Sequence, residues 1–106
     1  MEEMKYEIIP LDLSRATELA QLFKAFSDPS RLRILSVLVN AEKNVGEIAA
    51  LTGLSESAAS HQLRGLRQIH LVSARREGRQ VFYALEDQHI ATLYQMGLEH
   101  LEHEHD

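Results

Sequence analysis

No cysteine occurs anywhere in the chain. That excludes a disulfide framework and any metal site built on thiolates. No stretch approaches about 18 consecutive apolar residues, so no segment reads as a membrane-spanning helix. The opening MEEMKYEIIPLDL is acidic and lacks the basic and apolar regions of a secretory signal. The expected compartment is therefore cytoplasmic. Internal repeats, low-complexity tracts and linkers are also missing. At 106 residues the chain is expected to be one domain with a modest core, which association with a second copy would reinforce. Lysine and arginine are absent from residues 81–106.

Net charge is -5, but its distribution is uneven. Residues 1–54 carry a net -2, residues 55–80 a net +3 and residues 81–106 a net -6. The positive block rests on Arg64, Arg67, Arg75, Arg76 and Arg79. A local basic field steers a protein toward phosphate even when the whole chain is acidic.

Residues 1–12 form an irregular lead containing Pro10. From Ser14, read as an N-cap, Ala16, Leu19, Ala20, Phe23 and Phe26 fall at helical spacing. Asp28-Pro29 stops that helix and starts another, with Asp as cap and Pro at the first position. RLRILSVLVN is apolar nearly all round and reads as a buried helix. Asn44 caps VGEIAALTG, which Gly53 terminates. Ser55 caps a longer helix, ESAASHQLRGLRQI, over residues 56–69. Two helices around a short glycine-containing turn form a helix-turn-helix.

After His70, read as a helix-terminal residue facing the dipole, the period changes to two. Val72 and Ala74, then Val81, Tyr83 and Leu85, alternate with polar residues around Arg-Glu-Gly-Arg. This pattern predicts a β-hairpin, which directly after a helix-turn-helix is a wing. The expected fold is mainly α with a small β-hairpin. It is a single winged helix-turn-helix domain over residues 1–106. The helix-turn-helix spans about 45–69, the wing about 71–85 and a C-terminal helix about 87–104. The N- and C-terminal helices are expected to form a dimer interface.

Ser55, Ser57, Ser60, His61, Gln62, Arg64 and Arg67 are side chains that reach base edges and phosphates. Arg75, Arg76 and Arg79 at the hairpin tip extend that reach to the backbone or a neighbouring minor groove. Singly, each also suits a solvated helix face or a charged turn. Turn, face and wing in this order point to double-stranded DNA.

The terminal stretch DQHIATLYQMGLEHLEHEHD holds four of the six histidines. His89, Leu93, Met96, His100 and His103 follow one coiled-coil-like stripe. Ile90, Tyr94, Gly97 and Leu101 follow its neighbour, expected to pack on the body. His89 and His100 are eleven residues apart, about three turns and roughly 16 Å along the axis. Zinc–nitrogen bonds of about 2 Å forbid both from holding one ion within a single helix. His100 and His103 are i,i+3 neighbours, and Asp87 converges with His89 where the helix starts. Each end thus supplies two ligands.

An antiparallel pair of such helices completes two identical sites in a homodimer, with Leu93 and Met96 packed between them. Three nitrogens and one oxygen per site suit zinc or a similar borderline ion. Asp87 alone also reads as an ordinary N-cap, and His103 and His105 as solvated tail residues. His105 is assigned no role. Imidazole must be neutral to ligate, so affinity is expected to fall below about pH 6.5. A zinc hydrolase is disfavoured, because four protein ligands leave no open position for water.

LFKAFSDPSRLRILSVL, VGEIAALTGLSESAASHQLRGLRQIHLV, GRQVFYAL and DQHIATLYQMGLEHLEH together cover nearly the whole chain. In these motifs the sequence resembles the ArsR/SmtB family of metal-sensing winged-helix repressors. The resemblance implies a homodimer that binds an imperfect inverted repeat without metal and is released by metal. Regulated genes would serve metal efflux or homeostasis. The DxH…HxxH spacing is similar to the subgroup sensing zinc, and often cobalt, through its C-terminal helices. By position the implied ligands are Asp87, His89, His100 and His103. The chain departs from relatives that use cysteines, which removes thiolate sensing of arsenic, antimony, cadmium and lead. A dimeric winged-helix regulator responding to nickel or to a non-metal signal is the alternative.

Overall fold

The computed structural model describes residues 8–103; Met1–Glu7 and residues 104–106, with His105, lie outside them. Five helices and three short strands follow in the order α1 (Leu13–Phe26), α2 (Pro29–Val37), β1 (Lys43–Asn44), α3 (Val45–Thr52), α4 (Glu56–Gln68), β2 (Val72–Glu77), β3 (Gln80–Leu85) and α5 (Gln88–Glu102). Side-chain caps place most of the helix starts. Asp28 accepts from Arg31 N at 3.0 Å ahead of Pro29. Asn44 and Glu47 form a reciprocal capping box at 2.8 and 2.9 Å. Ser55 accepts from Ala58 N at 3.0 Å. Gly53, at φ 76°, closes α3 in the left-handed conformation that glycine adopts without steric cost.

The first helix departs from expectation. Its cap is Asp12, accepting from Arg15 N at 2.8 Å, and Ser14 already lies inside the helix. A carboxylate at this position satisfies an orphan N–H of the first turn, that of Arg15, and also complements the positive end of the helix dipole.

The end of α4 is a Schellman motif. His70 N donates to Arg67 O at 3.0 Å, and Leu71 N donates to Leu66 O at 2.9 Å. His70 occupies the left-handed position at φ 61°, where glycine is usual. Leu66 and Leu71, both buried, supply the apolar contact that accompanies this cap. A left-handed L-residue costs about 1–2 kcal/mol, against about 0.4–1 kcal/mol for the freedom glycine gives the unfolded chain. His70→Gly is therefore expected to raise stability by up to about 1 kcal/mol. A urea midpoint that falls instead would count against this account of the turn.

The hairpin is part of a three-stranded antiparallel sheet of order β1-β3-β2. Val72 pairs with Leu85 and Glu77 with Gln80, around a turn at Gly78, φ 63°. Lys43 and Asn44 add a third strand against Tyr83 and Phe82. Two residues are too few to show a period of two, so this strand is invisible to pattern.

Ile34, Leu35, Ile48, Leu63, Leu66, Leu71 and Val72 are fully buried and form the centre of the core. It therefore joins α2, α3, α4 and β2. Contrary to the all-round burial expected for α2, that helix buries Ile34 and Leu35 while Arg33 is exposed. α1 buries only Ala25, and Leu19 and Phe23 stand about half exposed.

The two stripes of α5 are separated only in part as heptad spacing predicts: His89, Met96 and His100 of the first are exposed, and Ile90 of the second is buried. Ile90 and Ala91 anchor its first turns in the body. Beyond them Leu93 and Tyr94, one from each stripe, line a single open apolar groove with Leu98 and Leu101. Phe23, Phe26 and Leu32 form the opposite wall, and the groove holds about 330 Å³. Leu101 is 77% exposed, so the body covers the start of the second stripe, at Ile90, and not its end. A helix has 3.6 residues per turn, and residues one apart differ by only about 100°. Leu93 of the first stripe can therefore look into the same groove as Tyr94, while Met96 stays exposed outside it.

Candidate nucleic-acid interface and metal centre

On α4, Ala59, Leu63 and Leu66 are buried. The spacing of four and three places the opposite face outward. Ser57, His61 and Arg64 lie exposed along that face, with Arg67 at its end. Ser55 sits at the tip, its hydroxyl engaged in capping. Ser60 is half-buried on the side toward the sheet. It shares a mixed cleft with Asn44, Val45, Arg79, Gln80, Val81 and Tyr83. Asn44 Nδ2 donates across that cleft to Gln80 Oε1 at 3.3 Å, tying the start of α3 to the wing. Gln62 is half-buried and turned toward α2, where its Oε1 accepts from Arg31 Nε at 3.0 Å.

The three wing arginines are not equivalent. Strand register places Arg76 opposite Val81, on the face shared with buried Val72. Val81 and Tyr83 of that face line the cleft beside Ser60, so it is the face turned toward α4. Arg79 also lines this cleft from the turn. Arg75 lies on the other face, opposite Phe82, with its guanidinium 4.9 Å from the ring centroid. It donates to Glu42 through Nε at 3.2 Å and again through Nη2, and to Glu77 through Nη1.

Hydrogen bonds donated to Glu42 and then to Glu77 raise the Arg75 pKa well above its ordinary range. The same bond from Arg75 holds the Glu42 carboxyl below its usual value. This lowered carboxyl keeps the tie intact at neutral pH, and the tie is lost only as acid protonates Glu42. Glu42 and Arg31 are the partners that sequence reasoning missed. No local signal marks them, because their contacts span 33 and 31 positions.

At the foot of α5, Asp87 is both N-cap and neighbour of His89. Its Oδ1 accepts from His89 N at 2.9 Å and lies 3.3 Å from His89 Nδ1. The His89 and Asp87 side chains are 92% and 51% exposed, respectively. One carboxylate oxygen makes the cap, and Oδ2 remains for a second partner. His100 lies in the last turn and His103 at the C-cap, where the backbone becomes extended. Among the described residues of one chain, no three histidine or carboxylate side chains converge to hold an ion. No helix among them is long and apolar enough to cross a membrane.

Residues 28–74 match the model of the family described as bacterial regulatory protein, arsR family. The chain is 44% identical over 102 residues to a transcriptional repressor SmtB homolog of Synechocystis sp., covering 96% of this chain and 76% of that protein. The solution structure of apo-NmtR superimposes with a TM-score of 0.78 at 40% identity, covering 99% of this chain and 88% of that one. A homodimeric winged helix-turn-helix DNA-binding domain from Mycobacterium bovis gives 0.77 at 35% identity, covering 88% and 90%.

Proposed function

Since the chain belongs to the ArsR/SmtB family of bacterial regulatory proteins, whose matched members are winged helix-turn-helix transcriptional regulators and not enzymes, we propose that it is a homodimeric repressor released from DNA by zinc or a similar ion. The observation that carries the metal reading is the Asp87 Oδ1 to His89 Nδ1 approach of 3.3 Å on an accessible surface. The same helix carries His100 and His103 at its other end, roughly three turns away. Two ligands at each end make a four-ligand site only when two such helices run antiparallel.

In this reading Asp87 caps α5 with Oδ1 and ligates with Oδ2. His89 stands beside it, and the partner's His100 and His103 complete the set. Three nitrogens and one oxygen accept zinc, with cobalt and nickel as alternatives, and offer nothing to soft ions that want thiolates. The apolar groove of Phe23, Phe26, Leu32, Leu93, Tyr94 and Leu98 is the surface on which the second copy packs.

Ser57, His61 and Arg64 face the major groove, Arg67 flanks it, and Arg76 and Arg79 reach phosphate from the wing. Ser55 contributes at the tip of α4, and Ser60 beside the wing. A two-fold dimer reads successive major grooves about 34 Å apart. Ligands drawn together across the dimer fix the angle between protomers and take the two reading helices off that spacing. The coupling is reciprocal, so DNA lowers metal affinity by the factor by which metal lowers DNA affinity.

The test begins with a duplex selected by the protein from a random pool. Zinc is then titrated into the complex while DNA release and bound ion are both measured. One ion per protomer with release is the expected result. Unchanged DNA affinity at saturating zinc, cobalt and nickel rejects the metal-responsive reading.

A further inference from the structure

Gln62 lies on the reading helix, yet its side chain does not point outward with Ser57, His61 and Arg64. It is half-buried and accepts from Arg31 Nε at 3.0 Å. The Arg31 guanidinium continues along α4, so that a Cβ added at Gly65 would stand 3.7 Å from Arg31 Nη2. One planar group thus lies across Gln62 and Gly65, which are neighbours on successive turns. Its own base is held firmly. Asp28 caps the turn through Arg31 N, Leu32 lines the groove under α5, and Ile34 and Leu35 are buried.

We propose that Arg31 is a positioning residue for DNA reading: through Gln62 it sets the orientation of α4 on α2, and Gln62 serves as its anchor, not as a base-reading side chain. Apolar packing of Ala59, Leu63 and Leu66 holds α4 against the core but is non-directional. A helix held only by such packing keeps freedom to roll. A directional hydrogen bond on one flank removes it. The donor must be a guanidinium, because a lysine ammonium has no planar edge to lie along the helix while donating sideways. A second flank tie, Asn44 to Gln80, braces the wing and not α4. The Arg31 bond is therefore the polar side-chain tie from the body to the reading helix among the described residues.

This inference rests on the DNA-reading proposal, and the experiment separates the two. Wild type, Arg31→Met, Arg31→Lys, Gln62→Met and the Arg31→Met/Gln62→Met double variant are compared on two duplexes. One is the duplex selected by wild type and the other is a scrambled duplex of equal length. Thermal melts confirm that each variant is folded. Each single variant should lose preference for the selected duplex by about ten-fold, or about 1.4 kcal/mol. Lysine should not rescue, and the double variant should be no worse than either single.

Three results overturn the proposal. Equal loss on both duplexes with a shallower salt dependence makes Arg31 a phosphate contact. Loss in Gln62→Met alone makes Gln62 a base contact. Rescue by lysine reduces Arg31 to its charge. A DNA-free readout stands apart from the DNA proposal: the Arg31 Nε–H should exchange slowly by NMR in wild type and rapidly in Gln62→Met. If wild type selects no duplex while that protection is present, the DNA reading fails and the helix tie stands. If the protection is absent in wild type, the tie itself fails.

Discussion

Dimers assembled from one His89→Ala protomer and one His100→Ala protomer should bind a single zinc ion that neither variant binds as a homodimer. In the antiparallel arrangement every site takes Asp87 and His89 from one chain and His100 and His103 from the other. A His89→Ala homodimer lacks a ligand in both sites, and so does a His100→Ala homodimer. In the mixed dimer both lesions fall in the same site, and the second site is intact. Losing a mere supporting partner of a ligand costs about 10–100-fold in affinity, so losing a ligand costs at least about 100-fold. The contrast is therefore close to all or none at micromolar zinc. Two affinity tags with tandem purification give the mixed dimer, and chelator competition counts its ions. Zero ions in mixed dimers would place the ligands within single protomers and remove the antiparallel pairing. The exposed Asp87–His89 pair and the distance along α5 are what make this outcome the expected one.

Arg76→Ala combined with Arg79→Ala should flatten the salt dependence of DNA binding, whereas Arg75→Ala should leave it nearly unchanged. Removing one cation from a phosphate lowers the slope of log affinity against log salt by about 0.9, so four arginines per dimer account for about 3.6. Arg75 is different because its charge is already engaged by Glu42 and Glu77, on the sheet face away from the cleft beside α4. Its removal leaves two carboxylates unpaired and loosens the tie between the loop before β1 and the wing. The expected consequence is a less rigid wing with a modest, salt-insensitive loss of affinity. Fluorescence anisotropy over about 50–200 mM salt measures both variants in the range where such slopes are large. Equal slopes for all three arginines would sink the distinction drawn from strand register.

Much of the architecture is written locally. Asp28-Pro29, the Asn44/Glu47 box, Gly53 and Ser55 each act on backbone groups within four positions, so a reader of the sequence places those boundaries closely. The alternation of Val72 and Ala74, answered by Val81, Tyr83 and Leu85, is equally local and predicts the paired strands that form. The misses have the same logic in reverse. Asp12 outcompetes Ser14 because two residues within reach could both cap, and pattern does not rank them. β1 is two residues long and exists only because β3 has a free edge to pair with.

For the candidate site, sequence alone determined the residue types, their helical faces and the axial distance between the histidine half-sites. These follow from 1.5 Å per residue and 3.6 residues per turn, which hold for any helix. Tertiary structure alone decided which polar side chains are already engaged. Gln62 belongs to Arg31, Arg75 belongs to Glu42 and Glu77, and Leu93 opens beside Tyr94 onto one groove with α1. Two of these ties join residues more than thirty positions apart. Such pairs meet only after the core of Ile34, Ile48, Leu63 and Leu66 has brought their elements together. Helical periodicity tells which way a side chain points from its own axis. Whether it meets solvent, a phosphate or another side chain depends on the element packed beside it.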